Sequence, residues 1–447
     1  MPAPLYDSLR ALADTRPLRL DMPGHHGGPL PGGFPWPAGL DFTENGRTGD
    51  LFGEAPDAIQ AAERLWAEGL GFGACLFLTG GSTQGVHAGL ALLAGAGGRV
   101  ALDRGSHRSA YHALALLDLD PVFLPRPWLE AEGVAGPIDP LQVARTLEQN
   151  PEVKTVCITS PTYYGVLSDV PAIAAVCRAQ GARLMVDGAH GAHLPFLGYE
   201  GCRAADVVVM SAHKTLPAPG QTALLLANGL PLEELQRWGS VYGTSSPSYV
   251  FMAALDAVRD YMEGAGGARY RETVRLAQAL RERWSTLGER EGLALDPARL
   301  TLNSPDGFAL GAALRERGVY PELADRGHVV CILTCADGRE ELARLERALE
   351  ASGLSGPSPA LPPPPPWPRA ALSPRQALFA PRESVPLEDS AGRVAAEQIA
   401  PYPPGVPVIA PGEVIEKKHL AYLREMGYNN KSKVQTAAGL SYGRERL

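Results

Sequence analysis

The sequence predicts an α/β fold with a mainly parallel sheet, on two observations. Short apolar runs alternate with helical patterns over about 150 residues, which indicates a parallel sheet. The runs contain few polar alternations, as expected of strands covered on both faces. The predicted strands are 75–78, 99–102, 121–124, 153–159, 183–187, 206–210 and 222–226, and the predicted helices are 55–69, 82–95, 106–117, 140–149, 170–180 and 247–264.

Further units are predicted on either side of this sheet. Five successive prolines at 362–366 indicate a stiff, extended linker. Beyond the linker, a helical piece is expected at 390–400. The predicted units are an N-terminal arm and loop at 1–50, a large domain at 51–265, a small α/β domain at 266–354, a Pro-rich linker at 355–381 and a C-terminal segment at 382–447.

Composition excludes several classes of protein. The formal net charge of −8 argues against non-specific binding of nucleic acid. The N-terminus lacks a basic region followed by an apolar core, and no run approaches the length of a membrane span. The six cysteines are scattered, mostly in apolar runs, which favours a reducing compartment and no metal site. We therefore expect a soluble, cytoplasmic protein.

A Gly-rich turn follows the first predicted strand and opens a helix. Its sequence is Thr-Gly-Gly-Ser-Thr-Gln-Gly at 79–85. Small residues at a helix N-terminus let backbone N–H groups approach an anion, and the hydroxyls of Ser82 and Thr83 add donors. The turn therefore suits a phosphate, with Gly81 allowing close approach. It lacks the Gly-Lys-Ser/Thr ending of a P-loop, and a plain capped turn is the alternative.

Two further strands end in groups suited to an aromatic, phosphorylated cofactor. Asp187 ends one strand, where a buried carboxylate can pair with a protonated ring nitrogen. Lys214 follows the apolar run Val-Val-Val-Met, so partial desolvation would lower its pKa and free its amine for imine formation with pyridoxal phosphate (PLP). Ser211 and His213 could hold the phosphate. The alternatives are a helix-capping aspartate and a surface lysine.

A fourth stretch, Asp-Arg-Gly-Ser-His-Arg-Ser at 103–109, supplies His107, which could stack on an aromatic cofactor. Ser106 in the same stretch could simply cap the next helix. His193, in the stretch after Asp187, is interpreted as a structural or interface residue rather than a catalytic one. The order of the four features is more specific than any one of them: a phosphate turn, a stacking residue, the aspartate, and a lysine 27 positions later.

With these motifs in this order, the sequence resembles the prokaryotic ornithine/lysine/arginine decarboxylases, which are fold-type I PLP enzymes. The resemblance covers about residues 20–413, and the chain resembles a short form without the N-terminal wing domain. The matching segments are Met-Pro-Gly-His (22–25), Thr-Gly-Gly-Ser-Thr (79–83), the 103–109 stretch, Ser-Pro-Thr-Tyr-Tyr-Gly (160–165), Asp-Gly-Ala-His-Gly-Ala-His (187–193), Ser-Ala-His-Lys-Thr-Leu-Pro (211–217), Gly-Arg (392–393) and Pro-Tyr-Pro-Pro-Gly-Val-Pro (401–407).

The resemblance implies a role for each matching residue. Lys214 would carry the cofactor as a Schiff base, Asp187 would pair with the pyridine nitrogen, and His107 would stack on the ring. His190 would lie near the ring oxygen or the substrate, or act as an acid with Lys214. The phosphate contacts would come from Gly81, Ser82, Thr83, Ser211 and His213. Thr244 and Ser245 would reach the cofactor of a partner subunit, which implies a homodimer or higher homo-oligomer with shared active sites.

The implied reaction is decarboxylation of a basic amino acid in polyamine biosynthesis, with arginine favoured over lysine and lysine over ornithine. Thr162 is a candidate for substrate contact, and the carboxylate that reads the substrate side chain is sought among Glu413, Glu44 and Asp21. The chain departs from the family at His26, at Gly188, and at the Pro-Gly pair 219–220, which leaves the substrate open. An aminotransferase, aldolase or lyase on the same scaffold, or a non-catalytic PLP-binding descendant, are the alternative functions.

Overall fold

The computed structural model describes residue 15 and residues 18–20, 49–53, 57–401, 406–427 and 433–441 of the chain. The Met-Pro-Gly-His segment, His26, Asp21 and Glu44 lie outside the described residues. In the described part of the chain, no helix is long and apolar enough to cross a membrane.

A seven-stranded sheet forms the centre of the large domain. Its strands run in the order β1-β7-β6-β5-β4-β2-β3, and all are parallel except β7, which is antiparallel to both of its neighbours. These strands are β1 (Ala74–Leu78), β2 (Arg99–Asp103), β3 (Asp120–Leu124), β4 (Thr155–Thr159), β5 (Arg183–Asp187), β6 (Val207–Met210) and β7 (Ala223–Ala227). The predicted α/β class is confirmed, and each predicted strand lies within two residues of an observed one.

Helices cover both faces of this sheet, and the central stretches of its strands are apolar. Strands β1, β6 and β7 are buried at every residue, which is typical of a sheet covered on both sides. The helices of the large domain, together with the helix that follows it, are Ala58–Leu70, Gly81–Ala94, Arg108–Leu117, Pro140–Gln149, Val170–Ala179, Ala212–Thr215, Leu232–Val241, Tyr249–Tyr261 and Gly267–Arg283. The carboxyl ends of the parallel strands consequently open onto one edge, where ligands bind in such folds.

A small domain follows, with its own apolar core. Its three antiparallel strands run in the order β8-β10-β9. They are β8 (Arg299–Asn303), β9 (Leu323–Ala324) and β10 (His328–Ile332), with the helices Gly307–Glu316 and Arg339–Ser352 packed on them. Strand Leu18–Leu20 pairs in parallel with Val319–Pro321. Two-residue strands also pair as Trp128–Leu129 with Val134–Ala135, and Val166–Leu167 with Ala294–Leu295.

The C-terminal segment contains a third sheet, of order β11-β13-β12. Its strands are β11 (Arg382–Pro386), β12 (Arg393–Ala395) and β13 (Lys433–Ser441), and its helices are Pro374–Phe379 and Lys417–Glu425. The prediction of a helix at 390–400 is wrong. The backbone there pairs with β13 and with residues near 409 and 414, so its hydrogen-bonding groups are satisfied by strand pairing.

Candidate active site

A cavity of about 580 Å³ opens at the carboxyl edge of the central sheet. Residues of the large domain and of the C-terminal segment both contribute to its wall. The lining residues are Ser82, Gly105, His107, Arg108, His112, Arg126, Ala135, Thr159, Thr162, Tyr163, Tyr164, Asp187, Ala189, His190, Lys214, Glu397, Gln398, Ala400 and Val406. The cavity therefore brings together Lys214, Asp187, His107 and His190, which are distant in sequence.

Lys214 lies on the one-turn helix Ala212–Thr215, in the connection from β6 to β7. Burial lowers the pKa of this amine, although the carboxylate of Asp187 opposes the shift. Its Nζ lies 3.3 Å from Nε2 of His190. A lysine with a lowered pKa holds more of its neutral amine near pH 7, and the neutral form is the nucleophile.

Asp187 is the last residue of β5 and is 5% exposed. Burial raises the pKa of this carboxyl, while the nearby Lys214 lowers it. One oxygen accepts the backbone N–H of Ala189 at 3.2 Å. A buried carboxyl of this kind gains most from a cationic partner that shares its pocket.

His107 lies on the loop that leaves β2. Its ring caps the helix Arg108–Leu117, because Nδ1 accepts the backbone N–H of Ser109 at 3.3 Å and lies 2.9 Å from the Ser109 hydroxyl. His107 is an exposed residue of the cavity wall. Its partial desolvation there, reinforced by the charge of Lys214, lowers the pKa of its imidazole to about 4. The ring is therefore neutral near pH 7, as a stacking partner should be. The cap is His107, and the alternative interpretation of Ser106 as the cap is wrong.

Of the residues predicted to hold a phosphate, Ser82 lines the cavity, whereas Gly81 and Ser211 are not part of its wall. Gly81 adopts a φ of +73°, a conformation that side chains rarely tolerate, and it begins the helix Gly81–Ala94. Thr83 is exposed and does not line the cavity. The hydroxyl of Ser211 is buried, and it has no hydrogen-bond partner among the described residues. A buried hydroxyl without a partner fits an anionic group such as a phosphate.

Of the remaining predicted residues, one lines the cavity and three do not. Thr162 lines the cavity, and its hydroxyl oxygen accepts the backbone N–H of Val166 at 3.1 Å. His213 is half-buried and does not line the cavity. Thr244 and Ser245 are exposed, in the loop between two helices, and lie outside the cavity wall. Their expected role concerns a partner subunit and stays a prediction.

The prediction that Glu413 contacts the substrate is wrong, because other residues of the protein already bind its carboxylate. Arg104 donates to both of its oxygens at 2.7 Å, and the backbone N–H of Ala410 donates to one of them at 2.7 Å. The guanidinium of Arg104 also lies 4.6 Å from the ring centroid of Phe123 and 5.5 Å from that of Trp367. Both charged residues are about 95% buried and away from the cavity wall. Glu413 therefore joins the C-terminal segment to the large domain.

Removing one partner of this ion pair should destabilise the fold. The change Glu413→Ala leaves the Arg104 guanidinium buried without its bidentate partner, and breaking a buried pair costs about 3–5 kcal/mol. We expect a loss of that size in the free energy of unfolding, measured by denaturant titration. Glu388→Ala, an exposed position of the same segment, is the control. A loss below about 1 kcal/mol, the range of exposed ion pairs, would contradict this role.

The sequence analysis missed Glu397. This side chain lines the cavity from the C-terminal segment, beside Gln398 and Ala400. Apart from Asp187, it is the only acidic residue in the described cavity wall. The Ala-Ala-Glu-Gln stretch at 395–398 was available as a signal, because it lies between the two segments at 392–393 and 401–407 that resemble the family.

His193 does not reach the cavity wall. It is 1% exposed, its Nε2 lies 2.8 Å from Oδ1 of Asp296, and its ring stacks on Tyr270 at 5.0 Å. These contacts agree with its interpretation as a structural residue. In the described part of the chain, no three His, Cys, Asp or Glu side chains are grouped to hold a metal ion.

The chain matches two sequence models of one protein family. The model described as Orn/Lys/Arg decarboxylase, major domain, matches residues 3–303, and that of the C-terminal domain matches residues 367–432. The chain is 29% identical to an arginine decarboxylase of Halalkalibacterium halodurans. The alignment of 464 positions, gaps included, covers 94% of this chain and 93% of the relative.

Solved structures show the same fold. The constitutive lysine decarboxylase of E. coli superposes with a TM-score of 0.74 at 20% identity, covering 88% of this chain and 74% of that chain. An SPT solved with PLP superposes with a TM-score of 0.54 at 18% identity, covering 66% of this chain and 77% of that chain. The fold is therefore that of the fold-type I PLP enzymes.

Proposed function

Because the chain belongs to the Orn/Lys/Arg decarboxylase family, we propose that it converts a basic L-amino acid into the corresponding amine and carbon dioxide. One observation carries the proposal. Lys214 and Asp187 share a cavity with Glu397, so cofactor groups and a carboxylate for a basic side chain line the same space.

The residues of the cavity fit pyridoxal phosphate. Lys214 would hold it covalently, Asp187 would face its ring nitrogen, and the ring of His107 would cover it. The free hydroxyl of Ser211 and the N-terminus at Gly81, with Ser82, would hold the phosphate. The bound cofactor supplies an electron sink for the pair released when the carboxylate leaves.

The reaction breaks the bond between the α-carbon and the carboxylate of the substrate. Carbon dioxide leaves, the electron pair stays behind, and a proton takes the vacated position on the α-carbon. With the cofactor bound, Asp187 would supply the negative charge that pairs with the ring nitrogen, in a buried environment where such pairing is strongest. His190 and Lys214 lie within 3.3 Å of each other, so either can deliver the proton.

Glu397 is proposed to select a basic side chain. A guanidinium or ammonium group loses its hydration on entering the cavity and needs a charged partner there. Glu397 belongs to the C-terminal segment and Lys214 to the large domain. The two residues therefore line the cavity from different parts of the chain, which suits an elongated substrate. Glu413 is replaced in this role because Arg104 already occupies it.

The ranking of substrates is testable directly. We propose arginine as the preferred substrate, followed by lysine and ornithine, because relatives that match over 94% of this chain include arginine decarboxylases. Purified protein with PLP is incubated with the twenty amino acids, and the amines formed are identified by mass spectrometry. Amines from basic amino acids alone support the proposal. A keto acid, an aldehyde or no product would favour another PLP reaction or a non-catalytic protein.

Neutralising Glu397 should weaken binding of basic substrates. The variant Glu397→Gln keeps the shape but loses the charge, and a charged hydrogen bond contributes about 1.5–3 kcal/mol. We expect KM for arginine to rise by about 10-fold to 100-fold, measured by initial rates. Glu388→Gln serves as the control for a lost charge on the same segment. An unchanged KM in Glu397→Gln would remove this residue from substrate recognition.

The assembly and setting of the enzyme are also proposals. We propose a homodimer or higher homo-oligomer with shared active sites, in which the exposed Thr244 and Ser245 approach the partner's cofactor, and a cytoplasmic role in polyamine biosynthesis. Light scattering gives the mass in solution. A monomer with full activity would contradict the shared site.

A further inference from the structure

A buried arginine that belongs to none of the matching segments contacts the site. Arg299, the first residue of β8, is 2% exposed and does not line the cavity. Its Nη2 atom lies 3.4 Å from Nδ1 of His190 and 3.5 Å from the backbone oxygen of His190. The small domain therefore reaches the face of His190 that is turned away from Lys214.

Two other residues hold Arg299 in this position. Gly165 has a φ of +89°, and a Cβ atom there would lie 2.7 Å from Cβ of Arg299. Only glycine leaves room for this arginine, which explains the glycine that ends the 160–165 segment. Asp296 accepts from His193 at 2.8 Å through one oxygen, and its other oxygen lies 3.7 Å from Nε of Arg299.

The charge of Asp296 is also maintained. Burial alone would raise the pKa of this carboxyl, but His193 and Arg299 hold its pKa below the ordinary value. Asp296 therefore stays a carboxylate and orients the guanidinium. The result is a continuous buried chain that runs from His193 through Asp296, Arg299 and His190 to Lys214.

The chemistry of the guanidinium decides where the proton of His190 lies. A guanidinium only donates hydrogen bonds, so Nδ1 of His190 must accept one. A neutral imidazole carries one N–H, which is then on Nε2, the atom 3.3 Å from Nζ of Lys214. We propose that Arg299 is a positioning residue, which fixes the tautomer of His190 that presents its proton to Lys214 and the cavity.

This arrangement has two consequences for the reaction, and both rest on the proposed function. First, before substrate binds, an Nε2–H donor facing Nζ is compatible with the neutral amine of Lys214 and not with its ammonium form, since two donors cannot share a hydrogen bond. Second, His190 has its proton on the cavity side, where the α-carbon must be protonated. Loss of Arg299 would release the ring to adopt the other tautomer or to become an imidazolium.

The surroundings of His190 oppose its protonation. Burial lowers the pKa of His190 well below its ordinary value, and nearby positive charge adds to this. The ring of Tyr163 lies 4.4 Å away and carries no charge near neutral pH. Arg299 carries a permanent positive charge beside the ring, whereas His107 is neutral near pH 7. Removing Arg299 takes away this charge, so the pKa of His190 should move back toward its ordinary value.

The experiment that tests this proposal reads the tautomer without any turnover. Protein labelled with ¹⁵N in its histidine rings is recorded by NMR without substrate, with and without PLP. His190→Gln identifies the signals of His190 by difference. We expect a neutral ring with the proton on Nε2 in the wild-type protein at pH 7. A proton on Nδ1, or a protonated ring, would overturn the proposal without any Arg299 variant having to fold.

Variants of Arg299 then test the cause. Arg299→Met removes the donor and should shift the tautomer, raise the pKa of His190 and lower kcat by at least about tenfold, since a positioned general acid contributes about 10²–10⁴-fold. KM should change less than about threefold. Arg299→Lys keeps a donor and should restore the tautomer. Arg317→Met, an exposed position of the small domain, is the control.

Other outcomes would overturn the proposal and remain separable from the proposed function. Unchanged His190 signals in a folded Arg299→Met protein would remove the tautomer role. A large rise in KM with kcat and the ring signals unchanged would make Arg299 a substrate ligand instead. Absence of decarboxylation in the wild-type protein would refute the proposed function, yet the NMR signals would still report the tautomer.

Discussion

Replacement of Lys214 by Ala is expected to abolish covalent attachment of the cofactor and to lower kcat by at least about 10³-fold. The buried amine, with its lowered pKa, is both the attachment point and a candidate proton donor in the cavity. A positioned acid–base group alone contributes about 10²–10⁴-fold, so loss of both roles should fall in the upper part of this range. Borohydride reduction of PLP-loaded protein followed by peptide mass spectrometry locates the modified lysine.

The matched control is Lys154→Ala, which removes an exposed lysine from the same domain. This variant should keep the modified peptide, the visible absorbance band of the lysine-bound cofactor and the full kcat. Attachment of PLP to a peptide other than the one containing Lys214 in the wild-type protein would contradict the assignment.

The second large effect is expected at Asp187. The variant Asp187→Asn keeps the size of the side chain but removes its negative charge, so the charge on the cofactor's ring nitrogen loses its buried partner. A hydrogen bond to a charged group contributes about 1.5–3 kcal/mol and more in a dry pocket, so kcat should fall by about 10²-fold to 10³-fold. Steady-state kinetics at saturating PLP measures this fall.

Asp118→Asn is the control for Asp187→Asn. Asp118 is exposed and has a φ of +56°, a conformation that asparagine also accepts, so this variant should behave as wild type. If Asp187→Asn retained more than about half of the wild-type kcat with PLP bound, Asp187 would not be the partner of the ring nitrogen.

Local sequence patterns predicted the central sheet and part of the site because both depend on short stretches. Each apolar run became a strand, and the groups placed at strand ends met at one edge, so Lys214, Asp187, His107 and His190 share a cavity. Their meeting follows from the parallel topology, which fixes where the carboxyl ends of the strands lie.

The larger errors concern contacts between distant parts of the chain. Arg104 and Glu413 are 309 positions apart, and neither position shows locally that the two form an ion pair. Arg299 and His190 are 109 positions apart, and their contact likewise has no local signal in the sequence. The segment at 390–400 has a helical pattern, but its backbone pairs with strands contributed by later residues. Tertiary pairing overrides local propensity in such segments.

The central claim is that this cavity removes the carboxylate of a basic amino acid. The most direct test follows arginine labelled with ¹³C in its carboxylate, using PLP-loaded protein and Lys214→Ala in parallel. The claim predicts labelled carbon dioxide and the unlabelled amine in equal amounts from the wild-type protein, and neither product from the variant. Retention of the label in every product, with arginine, lysine and ornithine alike, would contradict it.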